Sequence, residues 1–383
     1  MPRNRPQRTG DPNDRVENLI PRAIRDGNGD ALRRHIQHAD EKGWLTDNVL
    51  RKAMRTACEK NDIDSMRLLL ERATPETVNG GHPKTQETLL MAVKSKELAQ
   101  VLLEKGADPN AIDASGRSAL MRAASSEIAE VILDAGAAME TECQQARSAL
   151  MHVLMQEKPS TVDARADIAH LLIRKNANIE YKDTQHRTIL MTAVWRNHIT
   201  IVRTLLKVSS NINATDLRGR NILHHLCEDP DRAKRMRPSP SESDISMVDL
   251  IVRSKVDVNA QDTFEGKTPL HRAIERNNTY IVRALLKKTH ILVNTADFRN
   301  KTPLHAAAMT ANNEIIQALL QNGANPRAES DGGWTALITP PLHAVTIAPL
   351  VLRLYCERAP ARQPSFGPAN LHYIWRVRPV TCK

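Results

Sequence analysis

Between about residues 85 and 330 the apolar positions of this chain fall into two alternating kinds of block. The first is a short Leu/Ala-rich run that opens on a small polar residue. It reads Thr88-Leu89-Leu90-Met91, Ser118-Ala119-Leu120-Met121, Ser148-Ala149-Leu150-Met151, Thr188-Ile189-Leu190-Met191, Asn221-Ile222-Leu223-His224, Thr268-Pro269-Leu270-His271 and Thr302-Pro303-Leu304-His305. The second is a longer run whose apolar residues repeat at i and i+4, as in Ile201-Val202 followed by Leu205-Leu206, the spacing of a helix buried along one face. Thr, Ser and Asn accept the first free amides of a helix, and Pro at the first helical position has no amide to leave unpaired. Gly106, Gly136 and Gly323 follow second blocks, where a helix ends in a left-handed turn. Asp/Asn-rich segments such as Asp113-Ala114-Ser115-Gly116 come next, and their chemistry is that of tight turns. The pattern predicts helix, turn, helix and projecting finger, seven times over. One such unit cannot bury its apolar face alone, whereas a stack of them can.

The two least altered units carry Lys-Thr-Pro-Leu-His at 267–271 and 301–305, thirty-four residues apart. A Thr-Pro-Leu-His block at that period, paired with a later Gly-Ala-Asp-Pro-Asn block at 106–110 and its echoes, resembles the ankyrin-repeat family. Met in place of His at 91, 121, 151 and 191, together with long inserts, resembles arrays of filamentous fungi. The resemblance implies an all-α solenoid that binds a protein partner without catalysis or cofactor. It also implies that His224, His271 and His305 bond within their own turns.

Boundaries follow the repeats. Full units are expected at 85–113, 114–143, 144–183, 184–216, 217–262, 263–297 and 298–330. Degenerate units at 15–84 carry helix-pair periodicity without the motif, and a partial unit occupies 331–357. The Arg-rich segment 1–14 and the Pro/Arg-rich tail 358–383 are read as disordered. No complete C-terminal cap is visible, so the array is expected either to stop there or to continue in a longer protein. The units opening at 88 and 118 are three residues short of the 33-residue period. Those opening at 148 and 221 carry extra residues, around 157–165 and 229–243. All four changes fall between first and second helix, where loops absorb length.

The residue before each capping position is basic in six consecutive units: Arg117, Arg147, Arg187, Arg220, Lys267 and Lys301. Helices stacked about 8–10 Å apart would set these charges in a ladder along one edge. Leu217, Arg218, Phe264, Phe298 and Arg299 fall on the same fingers. Trp195, Arg196, Glu275, Arg276 and Met309 fall at first-helix ends, where the resemblance places a concave groove, and Trp and Arg are enriched at binding hot spots. These residues are the expected partner contact, and a basic ladder suits an acidic or mixed-charge partner surface. In the insert, Ser239 and Ser243 follow a basic run from Lys234 to Arg237 and are candidate phosphorylation sites.

Composition narrows the remaining classes. Net charge is +10, but residues 1–10 contribute +3 and residues 352–383 contribute +5, so the long middle is nearly neutral and a generally basic nucleic-acid-binding body is not expected. The five cysteines are scattered, which fits a reducing compartment, cytoplasmic or nuclear. No phosphate loop, zinc-protease helix or serine-nucleophile elbow is present. His224, His225 and Cys227 form a compact N/S group, yet a zinc site needs more ligands than they offer. Residues 335–352 are apolar but interrupted by Pro340, Pro341 and Pro349, so no membrane span is expected. The expected molecule is a monomeric, non-catalytic adaptor. The alternatives are a regulatory or chromatin-associated factor, or the ankyrin segment of a larger protein.

Overall fold

The computed structural model describes residues 12–156, 162–208, 210–228, 242–310 and 312–336. The Arg-rich N-terminus, Ser239 with most of the 229–243 insert, and the tail beyond 336 lie outside them. The described residues form helices, turns and three isolated bridges, Ile112 with Ser118, Lys182 with Thr188 and Glu329 with Thr335, each closing the base of a finger.

The chain divides into two compact units, at 1–210 and 211–383. The first opens with α1 (Pro12–Arg25), α2 (Gly29–Glu41), α3 (Asp47–Lys60), α4 (Ile63–Leu70) and α5 (Pro75–Asn79). It continues through α6 (Lys96–Glu104), α7 (Ala119–Arg122), α8 (Ser126–Asp134), α9 (Ala149–Met155), α10 (Val162–Arg174), α11 (Ile189–Trp195) and α12 (Ile199–Lys207). The second unit holds α13 (Ile222–Glu228), α14 (Glu242–Arg253), α15 (Pro269–Glu275), α16 (Thr279–Leu286), α17 (Pro303–Thr310) and α18 (Asn313–Gln321). Ser243, at the start of α14, has no described side-chain environment.

From the repeat opening at Thr88 onward, each contributes a short first helix or turn and a longer second helix, packed on the equivalent elements of its neighbours within the same unit. The Leu of every first block is buried, from Leu90 through Leu120, Leu150, Leu190 and Leu223 to Leu270 and Leu304. Small residues such as Ala129, Ala193, Ala273 and Ala307 have no exposed surface and allow that close approach. Side chains of Thr46, Asp62, Ser95, Ser125, Thr188, Thr268, Asn278 and Asn312 cap the helices that follow them.

The two short repeats lose their residues from the first helix. The segment after Thr88 keeps only a 3₁₀ turn, Leu90–Ala92, and α7 has four residues where α11, α13 and α15 have seven. Three residues are close to one helical turn, so these repeats lack the helix end that carries Trp195 or Arg276 elsewhere.

Side-chain amides tie successive loops together. Asn213 donates to the Lys255 carbonyl and accepts the Asp257 amide; Asn259 does the same to His290 and Leu292, and Asn294 to Gly323 and Asn325. In the first unit Asn79 and Asn110 make the equivalent pairs with Gly106 and Asp108, and with Gly136 and Ala138. In the sequence, Asn110, Asn213, Asn259 and Asn294 stand out only as members of the block that follows each second helix. Their larger role is to bond the next repeat's backbone, which fixes successive loops to one another.

Candidate binding surface: fingers and first-helix ends

A buried carboxylate organises each well-formed finger. Asp216 accepts the Arg218 and Arg220 amides at 2.8 and 3.0 Å, while its second oxygen takes Arg220 Nε at 2.8 Å and His225 Nε2 at 3.1 Å. Burial alone would raise the Asp216 pKa, but the His225 and Arg220 hydrogen bonds hold it well below the usual carboxylate range. Asp113 and Asp183 bind Arg117 and Arg187 in the same way, each through two backbone amides and a guanidinium. Asp297 takes the Arg299 and Lys301 amides.

The expected ladder of available basic groups therefore needs correction. Arg187 and Arg220 spend their guanidinium groups on their own fingers, and Arg220 also meets Glu228. The finger before Lys267 is one residue longer, so Lys267 bonds Glu265 and Glu275 instead. Burial would lower the Lys267 pKa, but these two carboxylates raise it. Arg272, one helical turn into α15, takes over Asp262 at 2.8 Å and also meets Glu265 at 2.6 Å and Glu275 at 3.4 Å. Glu275, though exposed, is thus the partner of two cations. Arg117, Arg187 and Arg220 hold their fingers in shape, since charge-assisted bonds to a buried carboxylate are strong and directional.

The histidines of the second unit link neighbouring repeats. Nδ1 of His271 accepts the Thr268 amide at 3.2 Å, and Nε2 donates to the Lys301 carbonyl at 3.0 Å. His305 repeats this with Thr302 and the Trp334 carbonyl, and His224 with the Asn221 amide and the Lys267 carbonyl. Burial pushes the His224 pKa down to about 4 and lowers that of His271. Both rings are thereby held neutral, with one donor and one acceptor nitrogen. His224 and His225 are engaged in these contacts, and among the described residues no group of three His, Cys, Asp or Glu side chains is placed to hold a metal.

The fingers of the second unit leave large apolar side chains in solvent beside Arg218 and Arg299. Leu217 is 54% exposed, Phe264 74% and Phe298 62%. The fingers are zipped side by side, with Thr263 N donating to Arg218 O at 2.8 Å, Phe298 N to Glu265 O at 2.9 Å and Asp331 N to Arg299 O at 3.1 Å. Arg218 lies 5.8 Å over the Phe264 ring. The Phe298 ring fills the space that a Cβ on Gly266 would need, and Gly266 has a φ of +69°, so glycine is required there twice over. Arg299, Arg276 at the end of α15 and Met309 in the last turn of α17 are also exposed. In the first unit, Trp195 is half-buried between Arg187 and Arg196, 5.5 and 4.5 Å from the two guanidinium carbons.

Finger, helix pair and inter-repeat histidine together describe one repeated module. The family described as ankyrin repeats (3 copies) matches this chain at residues 54–143, 89–183, 120–216, 159–232 and 240–339, well over half its length. The chain belongs to the ankyrin-repeat family. Among similar proteins, the ankyrin repeat protein FPV228 of Fowlpox virus (strain NVSL) is 29% identical over 33% of this chain and 25% of its own length. The nuclear factor NF-kappa-B p105 subunit of Gallus gallus is 27% identical over 29% of this chain and 14% of its own. Ankyrin repeat domain-containing protein 40 of Homo sapiens is 38% identical over 17% and 18%. The chain thus spans a quarter or less of these relatives. Ankyrin repeats are protein–protein interaction modules, and among the described residues no helix is long and apolar enough to cross a membrane.

Proposed function

We propose that this ankyrin-repeat protein is a non-catalytic adaptor, and that the finger tips and first-helix ends of its second unit receive the partner. The observation that carries this reading is the row of exposed apolar tips, Leu217, Phe264 and Phe298, on fingers locked by backbone hydrogen bonds. Large apolar side chains held rigidly in water lose little entropy on binding and gain by leaving the solvent. Arg218, Arg299, Arg276 and Met309 border the row, so the surface suits a partner that presents apolar groups beside carboxylates. Glu275, Lys267 and Arg220 then act by positioning the fingers, Lys301 adds its charge to the border of the row, and Arg187, Trp195 and Arg196 form a separate patch on the first unit. Three buried free cysteines, Cys58, Cys143 and Cys227, support a cytoplasmic or nuclear setting, and pairing of the finger cations argues against a nucleic-acid backbone as ligand. The test is quantitative co-purification from native extract with the intact chain and with its Leu217→Ala/Phe264→Ala/Phe298→Ala variant. Proteins retained by the first should fall at least about tenfold with the second. Equal recovery in both would remove the tips from the account.

A further inference from the structure

Among the fingers whose basic residue follows the buried position by four, one lacks the Asp at that position. Cys143 stands where Asp113, Asp183, Asp216 and Asp297 stand in the other fingers. The finger itself is otherwise built alike, with Cys143 N donating to Arg147 O at 3.2 Å and Ala146 N to Cys143 O at 2.8 Å. The thiol supplies neither the charge nor the acceptors of a carboxylate, and among the described residues Arg147 has no ion-pair partner.

The surroundings of Arg147 are already rich in cations. Arg55 meets Glu87 at 3.6 Å, Glu87 meets Arg122 at 2.5 Å, and Arg122 and Arg117 share Asp113 at 3.4 and 2.8 Å. Charges alternate along this chain and both of its ends are arginines. The next position, where a carboxylate would restore balance, belongs to Cys143. The two fingers touch directly: Gln144 N donates to Ser115 O at 3.0 Å, and Gln144 Nε2 to Ala114 O at 2.7 Å. Arg117 and Arg147 therefore hold equivalent places on adjoining fingers. Glu142, next to Cys143 in the sequence, is exposed and makes no ion pair with Arg147 among the described residues. His152, on α9, has a buried Nδ1 with no hydrogen-bond partner. Burial and the charges of Arg117 and Arg147 push its pKa down to about 4, so the ring is neutral and keeps one N–H to donate.

The geometry points to an oxyanion-binding site on the first unit, centred on Arg147 beside Arg117 and His152, that takes a phosphate or carboxylate carried by a protein ligand. The incoming group supplies from outside the charge that Asp supplies from within at the other fingers. Guanidinium groups suit it because their forked N–H donors match two oxygens of one anion. The missing carboxylate also explains why the site occurs at this finger and not at 117, 187 or 220, where the internal Asp already fills the fork. This inference stands on residues of the first unit and does not depend on the apolar tips of the second.

The test follows the Arg147 Nε–Hε signal by NMR in the full chain, assigned by its loss in Arg147→Lys, during titration with inorganic phosphate and separately with acetate at constant ionic strength. A saturable shift with phosphate alone assigns the site to a phosphorylated ligand, and a saturable shift with both assigns it to carboxylates as well. Cys143→Asp rebuilds the internal pair and should weaken the response at least about tenfold while leaving the fold intact. Thermal stabilisation of the chain by phosphate should vanish in Arg147→Gln, a half-buried surface change that keeps the finger backbone. No saturable shift with either anion, or an equal response in wild type and Cys143→Asp, would overturn the proposal.

Discussion

At the scale of single residues, charge at these fingers serves shape before recognition. An exposed ion pair contributes little to stability, but Asp216 is buried and binds two amides, a guanidinium and an imidazole. Asp216→Ala strands all four donors and should lower stability by about 3–5 kcal/mol, measured by urea unfolding. Arg218→Ala, on the same finger but exposed, should cost less than about 0.5 kcal/mol. The histidines set a pH dependence. His224 is depressed to about 4 in the folded chain against an ordinary 6.5, so between those values the unfolded chain binds the extra proton. Stability from this residue is complete above about pH 6.5 and falls as the pH drops toward 4, by at most about 1.4 kcal/mol per pH unit. His224→Gln should flatten that part of the stability profile, and an unchanged slope would show that the ring titrates normally in the fold. The pairing itself was legible in the sequence: Asp113 and Arg117, Asp183 and Arg187, and Asp216 and Arg220 are opposite charges at a constant spacing. A ladder read from one position of each finger conceals that partner four residues earlier.

At the scale of elements, the repeat pattern located the first and second helices because each block combines a cap with an apolar face. It did not reveal how the repeats are joined. Asn259 reads only as a member of the block after its second helix, and only the neighbouring loop shows that its amide reaches His290 and Leu292. Asn259→Ala removes two inter-repeat bonds whose partners water can reach and should cost about 0.5–1.5 kcal/mol, whereas truncating an exposed Asn without such bonds should be nearly neutral. The histidine link is likewise written in the sequence, since His recurs in the second unit and Met in the first. Its consequence emerges only in three dimensions. Met91, Met121 and Met151 fill the space with apolar atoms, and the hydroxyls of Thr88, Ser118 and Ser148 are buried with no hydrogen-bond partner. The repeats of the first unit thus depend more on packing, and those of the second on directional bonds. The exposed Phe264 and Phe298 were recognisable in advance, because an aromatic ring on a turn has no helix face to enter. Their alignment was not, because it depends on finger-to-finger backbone bonds between residues more than thirty positions apart.

At the scale of the whole molecule, most of the net charge of +10 belongs to the two ends of the chain, and the described repeats are closely balanced by internal pairs. Salt should therefore affect partner binding through Arg218, Arg276 and Arg299 and leave the shape of the fingers largely unchanged, because buried pairs are screened far less than exposed charges. The central claim is that exposed apolar tips on the second unit contact a protein partner. Site-specific photocrosslinking in cells tests it most directly, with a photoreactive phenylalanine placed at Phe264, at Phe298 and, as a control, at exposed Arg283 on α16. One discrete adduct is expected from positions 264 and 298 and none from 283. Adducts of equal yield from all three positions, or none from 264 and 298, would contradict it.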